Sequence, residues 1–177
     1  MPMITLSDKK AFSLMDLIIS SALLIVLFSS ALTGFVLLKQ IFISNISRTM
    51  FQRDAVVIMS KILEGKCGQN GVRLSEAASV TFYSDAGKLT FIGTDGIIKR
   101  TYSLSGDSTS ILYSDTNGTQ SIMYTAPKGA IVALRFSPVN LGPTLCVSIY
   151  VSVSQVINGR TALGALESSV YLRNHSV

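Results

Sequence analysis

The sequence predicts an α+β fold from two changes of hydrophobic pattern along 177 residues. An uncharged apolar run from Leu17 to Leu38 passes into a stretch of helical period that meets no Pro or Gly until Gly65. From about Ser79 the period becomes two. One long N-terminal helix, half membrane-spanning and half amphipathic, is therefore expected to pack on an antiparallel β-sheet domain. The expected divisions are a membrane helix over 12–38, its amphipathic continuation over 39–65 and a β-rich globular domain over 66–177.

Between Leu17 and Leu38 the only interruptions are Ser20, Ser21, Ser29, Ser30, Thr33 and Gly34, none of them charged. At about 1.5 Å per residue, such a run spans the roughly 30 Å of a bilayer core. A secretory signal has an apolar core of only about 7–15 residues and ends in a small-x-small cleavage site, so a membrane anchor fits this longer run better. Lys9 and Lys10 precede it while Lys39, Arg48 and Arg53 follow it, so basic residues do not set its orientation. Asp16 stands at the lip of the run, where a carboxylate is costly. It either sits in the headgroup region against the positive end of the helix dipole or has a partner.

Phe51, Ala55, Ile58 and Ile62 then fall at i, i+4, i+7 and i+11 and line one helical face, with Gly65 and Gly68 ending the helix. Val80–Tyr83 and Lys88–Ile92 flank Asp85-Ala86-Gly87 as a hairpin, and Asp95-Gly96 turns the chain into Ile97–Leu104. Further strands are expected at Ser110–Ser114, Gln120–Thr125, Ala130–Phe136, Leu145–Val153 and Ala165–Leu172. Turns fall at Asp115–Gly118, Ala126–Gly129 and Ile157–Gly159. Short turns make the sheet antiparallel, and one face must lie on the helix to be buried. Strand aromatics such as Phe82, Tyr83, Phe91, Tyr102, Tyr113, Tyr124, Phe136 and Tyr150 read as core filling.

The net charge of +5 is spread along the chain without a basic stripe, so nucleic acid is not an expected partner. The one histidine is His175, and no GxSxG, HExxH, P-loop or GxGxxG-after-strand pattern occurs; no enzyme, cofactor or metal is expected. Asp85, Asp95, Asp107 and Asp115 read as turn formers that bond their own backbone rather than as a calcium site. Cys67 and Cys146 are too far apart for a CxxC pair or a zinc cluster. They leave two readings open: a single disulfide in an oxidising compartment, or two buried thiols.

The order Lys9-Lys10-Ala11-Phe12-Ser13-Leu14-Met15-Asp16 followed by the apolar run resembles the start of type IV pilins and of the pseudopilins of type II secretion. Two positions depart from that pattern: Ala11 stands where glycine is usual and Asp16 where glutamate is usual. The resemblance implies a leader peptide over 1–11, cleavage between Ala11 and Phe12 by a prepilin peptidase, and methylation of the new amino group of Phe12. It also implies that Asp16 is an assembly residue pairing with a terminal amine. Val80–Tyr83, Asp95-Gly96 before Lys99–Tyr102, and Ser168–Asn174 are similar to the J-class minor pseudopilins and related minor pilins. Thr33-Gly34, where many major pilins carry a helix-kinking proline, also fits a minor subunit.

The fold so implied is pilin-like, and the partners are the membrane, the prepilin peptidase and other pilin or pseudopilin subunits. The location implied is the bacterial inner membrane, crossed once, with the C-terminal domain in the periplasm or outside. The function expected is that of a minor structural subunit near a filament tip. The alternative is a single-pass anchored β domain that binds an extracellular ligand or a secreted substrate without assembling.

Overall fold

The computed structural model describes residues 14–65, 73–83, 87–93, 96, 99–141 and 144–173. It divides the chain into two units, Met1–Phe42 and Ile43–Val177. One helix, α1 (Leu14–Glu64), belongs to both, and it ends where Gly65 turns into the left-handed region at φ 62°. In the first unit the described residues are all helical, because the run holds no Pro and its one glycine, Gly34, lies in open space.

Among the described residues the second unit is built on the C-terminal part of α1 and eight strands: β1 (Ser79–Phe82), β2 (Lys88–Ile92), β3 (Lys99–Leu104), β4 (Ser110–Ser114), β5 (Gln120–Thr125), β6 (Ala130–Leu141), β7 (Thr144–Ile157) and β8 (Arg160–Tyr171). A single 3-10 turn, Leu74–Glu76, precedes β1 and buries Leu74. The strands make two antiparallel sheets, β1 to β5 in sequence order and β6-β7-β8. All strand pairing is between neighbours in sequence, as short turns dictate. Asn158 and Gly159, at φ 50° and 74°, close the β7–β8 hairpin with both central residues left-handed, which matches the twist of the strands they join.

The last three strands are longer than the pattern of apolar residues predicts. β6 runs on past Pro138 to Leu141, because it is an edge strand and needs no ladder donor from that residue on its open side. β7 continues from Val153 through the polar Ser154 and Gln155, and β8 begins at Arg160 rather than Ala165. Ser154 and Gln155 are held in the central strand by ladder pairs to β6 on one side and β8 on the other.

One apolar core joins α1 to both sheets. Phe51, Ala55, Ile58 and Ile62 are buried as their spacing predicts, and Met59 joins them. Phe91, Tyr102 and Tyr113 form a ring ladder across β2, β3 and β4, with centroids 6.0 and 5.5 Å apart. Tyr83 departs from the expected core role, because it lies one residue beyond β1 and is 39% exposed. Arg100 is buried, with its guanidinium 5.7 Å from the Tyr113 ring centroid and donating to Lys99 O and Thr116 Oγ1. Cys146 is also buried; Cys67, the other half of the disulfide reading, lies outside the described residues.

Two polar contacts tie α1 to β5. A bulge between Ile111 and Leu112 of β4 leaves Met123 of β5 without an opposite residue, and Lys61 Nζ donates to the Met123 carbonyl at 3.3 Å. Tyr124 donates its hydroxyl to Asp54 Oδ2 at 2.7 Å. Burial, followed by that hydrogen bond and the Asp54 charge, pushes the Tyr124 phenol above its ordinary range.

On the other sheet α1 lies directly on Gly164 of β8, where a Cβ would run into the backbone at Phe51 and Gln52. Helix backbone cannot move aside as a side-chain tip can, so this glycine is required by close approach. Gly164→Ala is expected to destabilise the β domain by about 1–3 kcal/mol, the range for overpacked sites. Gly106, with nothing within 4 Å of its would-be Cβ, is the control. Denaturant melts of the two alanine variants check this, and equal midpoints would show that α1 is not seated on Gly164.

Candidate functional site

The described part of the first unit offers one feature, an apolar helical surface. Every large apolar side chain from Leu14 to Phe42 is exposed, Leu17 at 60% and Leu38 at 68% among them. None of its most apolar 18-residue window is buried, and by length and composition the helix can cross a membrane. Its hydroxyls do not spoil that surface. Ser20, Ser29 and Thr33 donate to the carbonyls of Asp16, Ile25 and Ser29, four residues back; Ser21 and Ser30 donate to Ile18 and Leu27, three residues back. Each polar hydrogen is thus satisfied inside the helix, as an apolar surrounding requires.

Small residues recur around this surface. At 3.6 residues per turn, Ser20, Ala31 and Gly34 share one side with Leu27 between them, Ala22, Ser29 and Thr33 lie roughly opposite, and Ser21 and Ser30 fall on neither side. Ala31 with Gly34, and Ser29 with Thr33, are places where another helix can approach closely. Asp16 sits in the first turn of α1, exposed, where its charge complements the helix dipole. Ala11 and Phe12, the expected cleavage and methylation residues, lie outside the described residues, as do Lys9 and Lys10.

In the second unit two shallow depressions lie on strand faces. One, of about 530 Å³, is bordered by Arg135, Tyr150 and Glu167, and Ser148 donates to Glu167 Oε1 across it at 3.0 Å. The other, of about 340 Å³, lies on the five-stranded sheet and includes Tyr83, Lys88 and Lys99. Among the described residues no group of three or more His, Cys, Asp or Glu could hold a metal. Comparison with protein-family models, with curated proteins and with solved structures returns no match.

Sequence reasoning placed the apolar surface and Asp16 but missed the Lys61 and Asp54 tethers and the basic depression. A signal for the last was present: Lys88 and Thr90, then Lys99, Thr101 and Ser103, alternate with apolar or buried neighbours and so share one face. Two of the four turn aspartates are described, and both act as read. Asp115 Oδ1 accepts from Asn117 N and Thr119 N. Asp107 accepts from Ser105 Oγ, Thr109 N and Thr109 Oγ1. Asp85 and Asp95 lie outside the described residues.

The hydrogen bonds from Ser105 and then Thr109 lower the Asp107 carboxyl from 3.8 to about 2. A depressed acid stabilises the fold fully above its unfolded value and less as pH falls through its folded value. The β3–β4 turn should therefore hold its full contribution above pH 3.8 and lose it toward about 2. A carbon-13 carboxyl titration by NMR checks this, and an Asp107 midpoint near 3.8 would show that the turn bonds do not persist in solution.

Proposed function

We propose that this chain is a minor pseudopilin or pilin-like structural subunit of a type II secretion or type IV pilus-like assembly, placed at or near the filament tip. In this reading a prepilin peptidase cuts between Ala11 and Phe12, Phe12 is methylated, and the segment after it anchors the subunit in the bacterial inner membrane. The C-terminal domain then lies in the periplasm or outside, the partners are other pilin-like subunits, and the chain is not an enzyme.

The observation that carries the reading is the exposure of every large apolar side chain from Leu14 to Phe42 on a helix whose serine and threonine hydroxyls there are bonded to its own carbonyls. A lipid anchor needs only the apolar surface. Small residues on two sides of the helix, Ala31 with Gly34 and Ser29 with Thr33, add places where neighbouring helices can pack, which a non-closing, head-to-tail assembly requires. The N-terminal order Lys9-Lys10-Ala11-Phe12 with Asp16 supplies the processing site and the acid.

A second reading is a single-pass anchored β domain that binds an extracellular ligand or a secreted substrate without assembling. The depression at Tyr83, Lys88 and Lys99 favours it. Intact-mass measurement of the protein extracted from membranes separates the two, since a plain anchor retains Met1 to Ala11 and a processed subunit begins at a methylated Phe12.

In an assembling subunit the Asp16 carboxylate enters a helix bundle, where an unpaired charge is expensive and the amine of Phe12 offsets it. Asp16→Ala should leave membrane insertion intact or slightly improved. It should lower recovery of partner subunits at least about tenfold, the scale of breaking a buried pair. Asp16→Glu should be tolerated, because it keeps the charge and lengthens its reach. Membrane fractionation and pull-down of partners compare the three proteins, and equal partner recovery would end the pairing mechanism.

A further inference from the structure

Part of the outward face of the five-stranded sheet is built from donors, while Ile92, Leu112 and Ile122 share the rest of that face. Lys88 of β2 stands opposite Ser103 of β3, Thr90 opposite Thr101, and Thr101 opposite Ser114 of β4, which in turn faces Gln120 of β5. These side chains share one face because strand residues two apart point the same way. Tyr83, just past β1, leans across β2: Thr90 donates to its hydroxyl at 3.4 Å and Lys88 Nζ lies 4.3 Å from its ring centroid.

The two threonine hydroxyls are 2.8 Å apart. Since Thr90 spends its one proton on Tyr83, Thr101 donates to Thr90. The Thr90 hydrogen bond, and then the charges of Lys88 and Lys99, draw the Tyr83 phenol below its ordinary range. Lys88 and Lys99 stand at the two ends of the β2–β3 ladder, and both line the same depression. The depression between them, about 340 Å³, includes Tyr83, Lys88, Lys99, Thr101, Ser114 and Gln120, and the described residues that line it include no carboxylate. That volume is within the range of small-ligand sites.

We propose that this depression binds an acidic saccharide, with the ligand's carboxylate between Lys88 and Lys99 and its hydroxyls on Thr101, Ser103, Ser114 and Gln120. The lysines supply charge complementarity, and the uncharged hydroxyl and amide side chains match a ligand dense in hydroxyls. An acidic peptide adding as a strand needs a sheet edge, whereas Thr101, Ser103 and Ser114 lie on interior strands. Single-stranded nucleic acid needs open aromatic platforms, and the one ring here is faced by Lys88.

The test uses the full chain in neutral detergent micelles, titrated calorimetrically with the tetramer of galacturonic acid. The fully methyl-esterified tetramer and polyglutamate of matched charge are the comparison ligands. The acid tetramer should bind, more weakly as salt rises, and Lys88→Met and Lys99→Met should each weaken it about tenfold, the scale of a lost charge-assisted hydrogen bond. Methionine keeps the length of the apolar stem, and unchanged melting of each variant shows that the sheet is intact. Thr101→Val with Gln120→Ala should weaken the tetramer and leave polyglutamate unaffected. Failure of the acid tetramer to bind, equal binding of the ester, equal binding of polyglutamate, or indifference to both lysine changes would each overturn the proposal.

Discussion

A helix surrounded by hydrocarbon must find a partner for every polar group within itself, because neither lipid tails nor apolar neighbours offer one. In α1 the main chain meets that demand by its own ladder, and the side chains follow it, with the hydroxyls of Ser20, Ser21, Ser29, Ser30 and Thr33 all folded back onto preceding carbonyls. Such back-bonding slightly weakens a helix in water. In hydrocarbon it is the arrangement that lets small, close-packing residues be used without exposing a polar hydrogen. Serine and threonine in this run therefore read as smooth, narrow patches rather than as polar ones, and Asp16 stands out as the acid at its start.

Further along α1 the demand is the reverse: the helix must be covered. Phe51, Ala55, Ile58, Met59 and Ile62 are buried by two sheets, not one, and the sheets meet the helix by different means. On the five-stranded sheet the tethers are polar, Lys61 to the carbonyl of the bulged Met123 and Tyr124 to Asp54. On the three-stranded sheet contact is steric, with helix backbone seated on Gly164. The glycine lets helix backbone come down onto β8, while the hydrogen bonds at Asp54 and Lys61 hold the helix side chains toward β5. The two kinds of contact constrain different degrees of freedom.

Much of this was legible in the chain itself. The helix face was readable because Phe51, Ala55, Ile58 and Ile62 repeat at helical spacing, and the hairpins because glycine and asparagine mark their turns. Strand lengths were less readable, since Pro138, Ser154, Gln155 and Gly164 look like terminators when only local propensity is consulted. Each is tolerated for a reason of position: Pro138 on an open edge, Ser154 and Gln155 paired on both sides in the central strand, Gly164 under a helix. The split into two sheets was invisible because hairpin pairing says which strands are neighbours but not where the ladder stops. For the site, the apolar surface was legible from composition. The tether at Met123 depends on a bulge, and a bulge is a mismatch between two strands that neither segment announces alone.

The basic depression raises the question of why Lys99 faces outward when the next residue, Arg100, is buried. Either cation could have been the outward one, because a slip of one residue exchanges the two faces of a strand. Tyr102, fully buried between Phe91 and Tyr113, holds even-numbered residues of β3 inward. Thr116 locks the choice: its hydroxyl accepts from Lys99 N and from Arg100 Nη1, and donates to Lys99 O. Arginine suits the inward place better than lysine, since its planar guanidinium can lie toward the Tyr113 ring and still donate in its plane to Lys99 O and Thr116. Lysine suits the outward place, with a flexible stem and a compact charge. The core ladder of aromatics thus sets the phase of β3, and that phase puts Lys99 on the same surface as Lys88, Thr101 and Ser103.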